Sequence, residues 1–477
     1  MISGRQKTRN LSGLFFGKLA RVTSGALGVA LFAAVAAEAV DTALTARKVE
    51  REVLTRFTAS GSLRATVATS LTADEKTTET AAEMIDVVEH AVAVDATLCY
   101  TEQPVDAGST GGVGQTVLRH YNEAKACLQI DGSTVRSTLP PEARTLFTAT
   151  TADGLCFWLA DGFVTREERD LLSLPFDAAW HSVLEPPPTA AEGTTWKLTN
   201  AGLADLLCID TVTAGMITAT VQNLSANHLL IGLTGSLSGG VDGVPTEIEL
   251  NASYRWNTTS TTLPGLVSLQ CQIHERRQAG YITPGLDIVA TVEQTCRQLN
   301  AEELSQQASP TARADREILR RGPGRPGKLW LVDPHGRFNL VHDDDWRMIE
   351  QQSDQTVLRL IDHGHLLGQV SIIPLPPTAE APSLAAFQDD IERSLAEQFN
   401  HLVEATESRR SNGTRILRVA SDGEADGLPF RWIHYHLATG NGSQVTLSFM
   451  VESGQHERFG EADRLFVDGF VITEASD

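Results

Sequence analysis

Between Ala301 and Lys328 the chain reads AEELSQQASPTARADREILRRGPGRPGK, and a continuous core cannot pass through text of this kind. It holds three prolines, three glycines within six residues, and one aliphatic pair, Ile318-Leu319. Burying that pair cannot offset the entropy of ordering the whole stretch. A tether is predicted, extended where GPGRPG repels helix. Two unlike parts follow: long strand text before it and a compact module after it. The boundaries are a leader over 1–39, a β-rich domain over 45–297, a linker over 298–328 and a C-terminal domain over 329–474.

At 477 residues the chain has room for two or three cores. Its net charge of -21 opposes non-specific contact with nucleic acid or anionic membrane, which requires a cationic face. The first 39 residues place Arg5, Lys7, Arg9, Lys18 and Arg21 ahead of the apolar run GALGVALFAAVAAEA. That is the order of a secretory signal, with Ala37-Glu38-Ala39 as the cleavage site. An uncleaved anchor is the second reading, because the run is short against the roughly 20 residues of a membrane span. No cysteine precedes Cys99, which argues against a lipoprotein anchor at this end. The mature chain is expected beyond the inner membrane, with no stable insertion.

Six cysteines, Cys99, Cys127, Cys156, Cys208, Cys271 and Cys296, lie in the first part. Export permits disulfides among them. Several sit in apolar strand text such as AKACLQI and GLCFWLA, so buried thiols acting as small hydrophobes are the other reading. The same part shows Thr/Val-rich, alternating segments typical of strands, from VEREVLTRFTASGSLRATVATSL to LDIVATVEQT. Thr165 and Glu168 fit a capping box that opens a helical insert, and Asn200 is placed as the N-cap of a second short helix. GGVDGVP suits a tight β-connection. Eight or nine long antiparallel strands with a helical cover suggest a curved sheet or half-barrel. That arrangement resembles the lipoprotein-carrier folds of bacterial envelopes, in which a half-barrel closes over helices around an apolar cavity. The resemblance is architectural, with no motif matched residue by residue; a filled core is the alternative.

In the second part, Ser383 is placed as the cap of a helix with Leu384, Phe387, Ile391, Leu395, Phe399 and Leu402 on one face. Three strands, TRILRVASD, PFRWIHYHLAT and QVTLSFMVE, then lead to a last helix over 456–467 that buries Phe459, Ala462, Leu465 and Phe466. With Phe338 on the opening strand and Trp346 after it, this order resembles the PsbP-like family over 329–472. The resemblance implies an α/β/α sandwich around an antiparallel sheet and a binding or assembly role, with no catalytic residues to transfer. Asp343-Asp344-Asp345 stands where relatives often place Pro. The fold class expected for the whole chain is therefore α+β.

Chemistry-bearing residues are few. His434 and His436 share one face of a strand, and His363 and His365 flank a turn; convergence of all four would make a transition-metal site. Otherwise they are solvated histidines on an outer face. His342-Asp343-Asp344-Asp345 and Asp362-His363 put acids beside histidines, as in hydrolases, yet no nucleophile motif accompanies them. Gly322 to Lys328 has Walker A spacing, but Leu329 replaces the magnesium-binding hydroxyl and prolines remove cradle N–H groups, so no nucleotide site is assigned. The Gly-Arg-Pro core of this stretch, flanked by Arg320, Arg321 and Lys328, is similar to a minor-groove hook; for an exported acidic chain, basic contact with acidic polymers of the envelope is the milder alternative.

No catalytic, cofactor or metal residue is assigned, and no cofactor is expected. The expected function is an exported, non-enzymatic binding or assembly protein of the cell envelope. It would hold an apolar ligand or an unknown protein partner, with Trp158, Trp180, Trp196 or Trp256 as anchors. The alternative is an envelope hydrolase using the His and Asp residues of the C-terminal domain.

Overall fold

The structure, a computed structural model, describes residues 51–68, 85–104, 116–151, 154–225, 227–259, 265–279, 284–300, 302–303, 327–362, 365–378 and 381–473. The expected leader, most of the expected tether and His363 lie outside them. The chain divides into two compact units between Pro326 and Gly327.

The larger unit opens with β1 (Arg51–Ala68), β2 (Ile85–Pro104) and β3 (Thr116–Ile130). A short arm, β4 (Ser133–Thr138), returns along β3, and β5 (Thr145–Thr151) and β6 (Gly154–Trp158) complete that flank. Next come β7 (Val164–Thr165), α1 (Arg166–Leu172), a 3-10 segment at Ala178–Leu184, β8 (Thr195–Lys197) and α2 (Asn200–Leu207). Five long strands finish the unit: β9 (Thr211–Leu224), β10 (His228–Val241), β11 (Val244–Asn257), β12 (Leu266–Arg277) and β13 (Gly285–Gln298).

All the pairings of this sheet are antiparallel, and its order is β6-β5-β3-β2-β1-β13-β12-β11-β10-β9-β8. The first and last long strands therefore meet in the middle, with Val53 opposite Cys296 and Phe57 opposite Val292. The two flanks end in β6 and β8, which are close in sequence but lie at opposite edges. The segment joining them has to cross the sheet, and it does so over one face.

That inner face is apolar and the other is charged. Along β11, Ile248, Leu250, Ala252, Tyr254 and Trp256 are buried while Glu247, Glu249, Asn251 and Arg255 are exposed. A lipid-facing barrel strand has the opposite arrangement, apolar outward and polar inward. The β10–β11 turn has left-handed backbone at Asp242 (φ 48°) and Gly243 (φ 72°), as the Asp-Gly pair in GGVDGVP predicts. The Thr165–Glu168 capping box is present. At α2 the cap is Thr199, whose hydroxyl accepts from Gly202 N–H, and Asn200 is the first helical residue instead.

The smaller unit contains β14 (Lys328–Val332), β15 (Phe338–Asp343), β16 (Trp346–Gln351), β17 (Thr356–Asp362), β18 (His365–Leu375), α3 (Leu384–Leu395), β19 (Phe399–Arg409), β20 (Arg415–Ala425), β21 (Leu428–Ala438), β22 (Gln444–Glu452), α4 (His456–Phe459), α5 (Ala462–Asp468) and β23 (Phe470–Ile472). Seven strands pair in the order β16-β17-β18-β22-β21-β20-β19. β14 pairs with β15, and β15 with β23. One face of the seven-stranded sheet packs Trp346, Phe449, Phe459, Phe466 and Phe470. The other receives Phe387, Ile391 and Leu395 of α3 against Leu417, Val419 and Trp432.

These findings overturn the α+β class with its α/β/α sandwich: 62% of the structure is strand and 16% helix, so the protein is mainly β with large antiparallel sheets. Two departures explain the overestimate of helix. The helix beginning at Leu384 ends at Leu395, and Ala396 turns to φ 47°. Phe399 and Leu402 then belong to edge strand β19, where Leu402 is exposed. The last helix splits at Gly460 and Glu461, and Leu465 is 62% exposed instead of buried.

Candidate functional site

Charge lies on the inner face of the larger unit, where the strand pattern otherwise supplies aliphatics. Arg51 on β1, Glu102 on β2 and Arg119 on β3 face inward among Val53, Leu98 and Val117. Register places Arg51 opposite Glu102, and Glu102 opposite Arg119. Arg51 Nε donates to Glu102 Oε1 at 2.5 Å, and Arg119 Nε donates to Glu102 Oε2 at 3.0 Å. The fourth charge, Asp177, comes from the crossing segment. Arg119 grips it with both arms, at 2.8 and 2.6 Å, in the planar two-pronged geometry that guanidinium and carboxylate favour. The Arg119 guanidinium also lies 4.6 Å over the Tyr100 ring, and Tyr100 packs on Tyr121 at 4.9 Å.

A neutral branch continues from these charges. Arg51 approaches His181 Nδ1 at 3.5 Å, and His181 Nε2 lies 2.6 Å from Gln294 Oε1. The Gln294 amide donates to Thr55 Oγ1 and to the Phe176 carbonyl. These contacts are all satisfied by a neutral His181 that carries its proton on Nε2. Burial, with Arg51 adding to it, drives the imidazole down to about 3. Burial alone would raise the Glu102 carboxyl, but the two guanidiniums outweigh it and hold the group below its ordinary range.

Every one of these contacts joins the crossing segment to the sheet or supports a residue that does. Arg51 donates to the Ala178 carbonyl at 3.2 Å, and Tyr254 on β11 donates to the Leu184 carbonyl at 2.7 Å. The segment from Phe176 to Leu184 thus touches side chains of β11, β13, β1 and β3. The polar contacts attach a cover across the middle of an apolar face.

The residues expected from the sequence are placed elsewhere. His434 and His436 are not solvated: they lie on the face covered by α3, with His436 edge-on to Phe387 at 5.7 Å. His436 Nε2 is 2.8 Å from Gln444 Oε1 and His434 Nδ1 is 3.0 Å from Ser448 Oγ. His365 is exposed at the start of β18, six positions from Ser371, which β22 links in register to His434. At roughly 3.3 Å per residue that is about 20 Å away. His342 is buried with Nδ1 on the Asp343 carbonyl. Among the described residues no three His, Cys, Asp or Glu side chains gather as a metal would require. Trp158 stacks on Phe147, Trp256 meets Tyr254 edge-on, and Trp180 and Trp196 are half-buried on the crossing segment and β8; the four do not form one anchor. None of the six cysteines is in a disulfide.

None of Arg51, Glu102, Arg119, Asp177, His181 or Gln294 was singled out from the sequence. The signal was present for two of them. In QTVLRHY, Arg119 has the phase of Val117 and Tyr121, and Glu102 that of Leu98 and Tyr100; a charge in phase with buried residues is a buried charge.

No family model and no curated protein matches the chain. Among solved structures, the solution structure of cyanobacterial PsbP from Synechocystis sp. PCC 6803 is similar over 31% of this chain and 95% of its own, at 11% identity and a TM-score of 0.25. A Bacteroides thetaiotaomicron structure matches over 32% of this chain and 50% of its own, at 14% identity and a TM-score of 0.24. The low-pH structure of Pseudomonas putida OprB covers 88% of this chain and 97% of its own, but at 7% identity and a TM-score of 0.11. The similarity to PsbP covers about a third of the chain.

Proposed function

We propose that this is an exported, non-catalytic binding protein of the cell envelope. Its larger unit holds an apolar ligand against the inner face of the long sheet, beneath the segment that crosses from β6 to β8. The smaller, PsbP-like unit serves binding or assembly with a protein partner. One observation carries the ligand reading. The inner face is apolar along most of its strands, from Phe57 to Leu63 on β1 and from Val92 to Leu98 on β2. Its cover rests there on buried Leu174, Phe176, Ala178 and Leu184 and is tied to the sheet by buried polar contacts. The polar contacts among these can be exchanged for others of the same kind when a ligand enters.

The test is mass spectrometry of organic extracts from the full chain purified from its native envelope. A lipid retained in near-equal molar amount is expected. Extracts without lipid, from protein that also fails to take up lipid after delipidation, would reject the reading.

A further inference from the structure

The chemistry of the ligand follows from where the fourth charge is carried, and this inference rests on the ligand reading above. Arg51, Glu102 and Arg119 belong to the sheet, while Asp177 belongs to the cover. With the cover in place, two guanidiniums face two carboxylates. With the cover displaced, as ligand entry requires, Glu102 alone faces Arg51 and Arg119. Arg119 and Arg51 then share the single carboxylate of Glu102, so the uncovered face carries excess positive charge and favours an anion at the place of Asp177.

A second observation points to the same spot. The Tyr100 and Thr148 hydroxyls are buried and have no hydrogen-bond partner among the described residues. Tyr100 lies on β2 opposite Tyr121, and Thr148 on β5 opposite Val117. They therefore flank Arg119 on the strands either side of β3. Asp177 has only two oxygens, already engaged by Arg119 and by the Ala179 N–H. Donors are left over that a larger oxyanion would use.

We infer that the ligand is an amphiphile with an acidic head group, a carboxylate or a phosphate, which takes the place of Asp177 at Arg119. Its chain lies along the apolar rows of β1 and β2, from Leu98 toward Val92 and from Phe57 toward Leu63. Asp177 is then the protein's own stand-in for the head group, and the cover opens at little electrostatic cost because one carboxylate replaces another.

Equilibrium binding of radiolabelled palmitic acid, hexadecyl phosphate and hexadecanol to the full delipidated chain tests this, in the wild type and in Asp177→Asn. The variant keeps the shape of the cover and its contact with Ala179. At least one acidic probe should bind roughly tenfold tighter than the alcohol, and the gap should widen in Asp177→Asn. Which acid binds tighter assigns the head group as carboxylate or phosphate. Equal binding of acids and alcohol in both proteins overturns the acidic head group and leaves the apolar-ligand reading standing. Failure of all three probes overturns that reading itself. Should Asp177→Asn not fold, the wild-type ratio of acid to alcohol decides alone.

Discussion

His434 is a neutral imidazole by virtue of its surroundings. Between α3 and the sheet, burial pushes it down to about 4, and its Nε2 has no hydrogen-bond partner among the described residues. Above its ordinary value near 6.5 the ring is uncharged in the folded and unfolded chain alike, and its packing is fully retained. As pH falls from 6.5 toward 4, only the unfolded chain takes up the proton. Folding of the smaller unit then loses about 1.4 kcal/mol per pH unit for that one proton. His436, also lowered by burial, acts in the same direction. Hydrogen exchange of β20–β22 amides at pH 7 and pH 5 should show this loss in the wild type and a smaller one in His434→Gln. Equal losses in the two proteins would refute a titrating His434.

At the scale of elements, close approach of strands demands particular residues. Gly215 on β9 has φ 94°, and a Cβ there would sit 2.4 Å from the Ser236 carbonyl oxygen of β10. Gly240 meets nothing nearer than 3.8 Å and has no such backbone. Gly215→Ala is expected to cost about 3 kcal/mol or more in denaturant unfolding, from left-handed strain plus the clash with backbone. Gly240→Ala should cost less than about 1 kcal/mol. Equal costs would mean that β9 is not held against β10 by this contact. Strands such as PTEIELNASYRWN were legible because alternation is local. Their order was not, because Val53 meets Cys296 across the whole unit and nothing near either residue encodes that pairing. The overrun of α3 has a similar cause. Phe399 and Leu402 continue the spacing of Leu395 as a helix would, but pairing of FNHLVEATESR with β20 supersedes it. The charge cluster was half legible: phase exposes Arg119 and Glu102, while Asp177 becomes their partner only once the β6-to-β8 segment crosses the sheet.

Across the whole molecule, the thiols bear on the proposed compartment. A small exported domain needs disulfides because its core is thin; a sheet of this size buries enough apolar surface without them. Register also keeps several cysteines apart. Cys99 lies opposite Glu123 and Cys127 opposite Asp95, four positions away along β2, or roughly 13 Å, where a disulfide spans Cα atoms within about 7 Å. Cys271 faces Val292, and Cys296 is four positions further along β13. Burial also pushes the Cys296 thiol up to about 12, which suppresses the reactive thiolate even in an oxidising medium. Export and six reduced cysteines are therefore compatible here. Protein recovered from the envelope without reductant should begin after Ala39 by intact mass, and should titrate as six thiols once unfolded. A retained leader would replace cleavage by an N-terminal anchor, and a disulfide joining Cys99 to Cys127 or Cys271 to Cys296 would mean that the strand register between them is wrong.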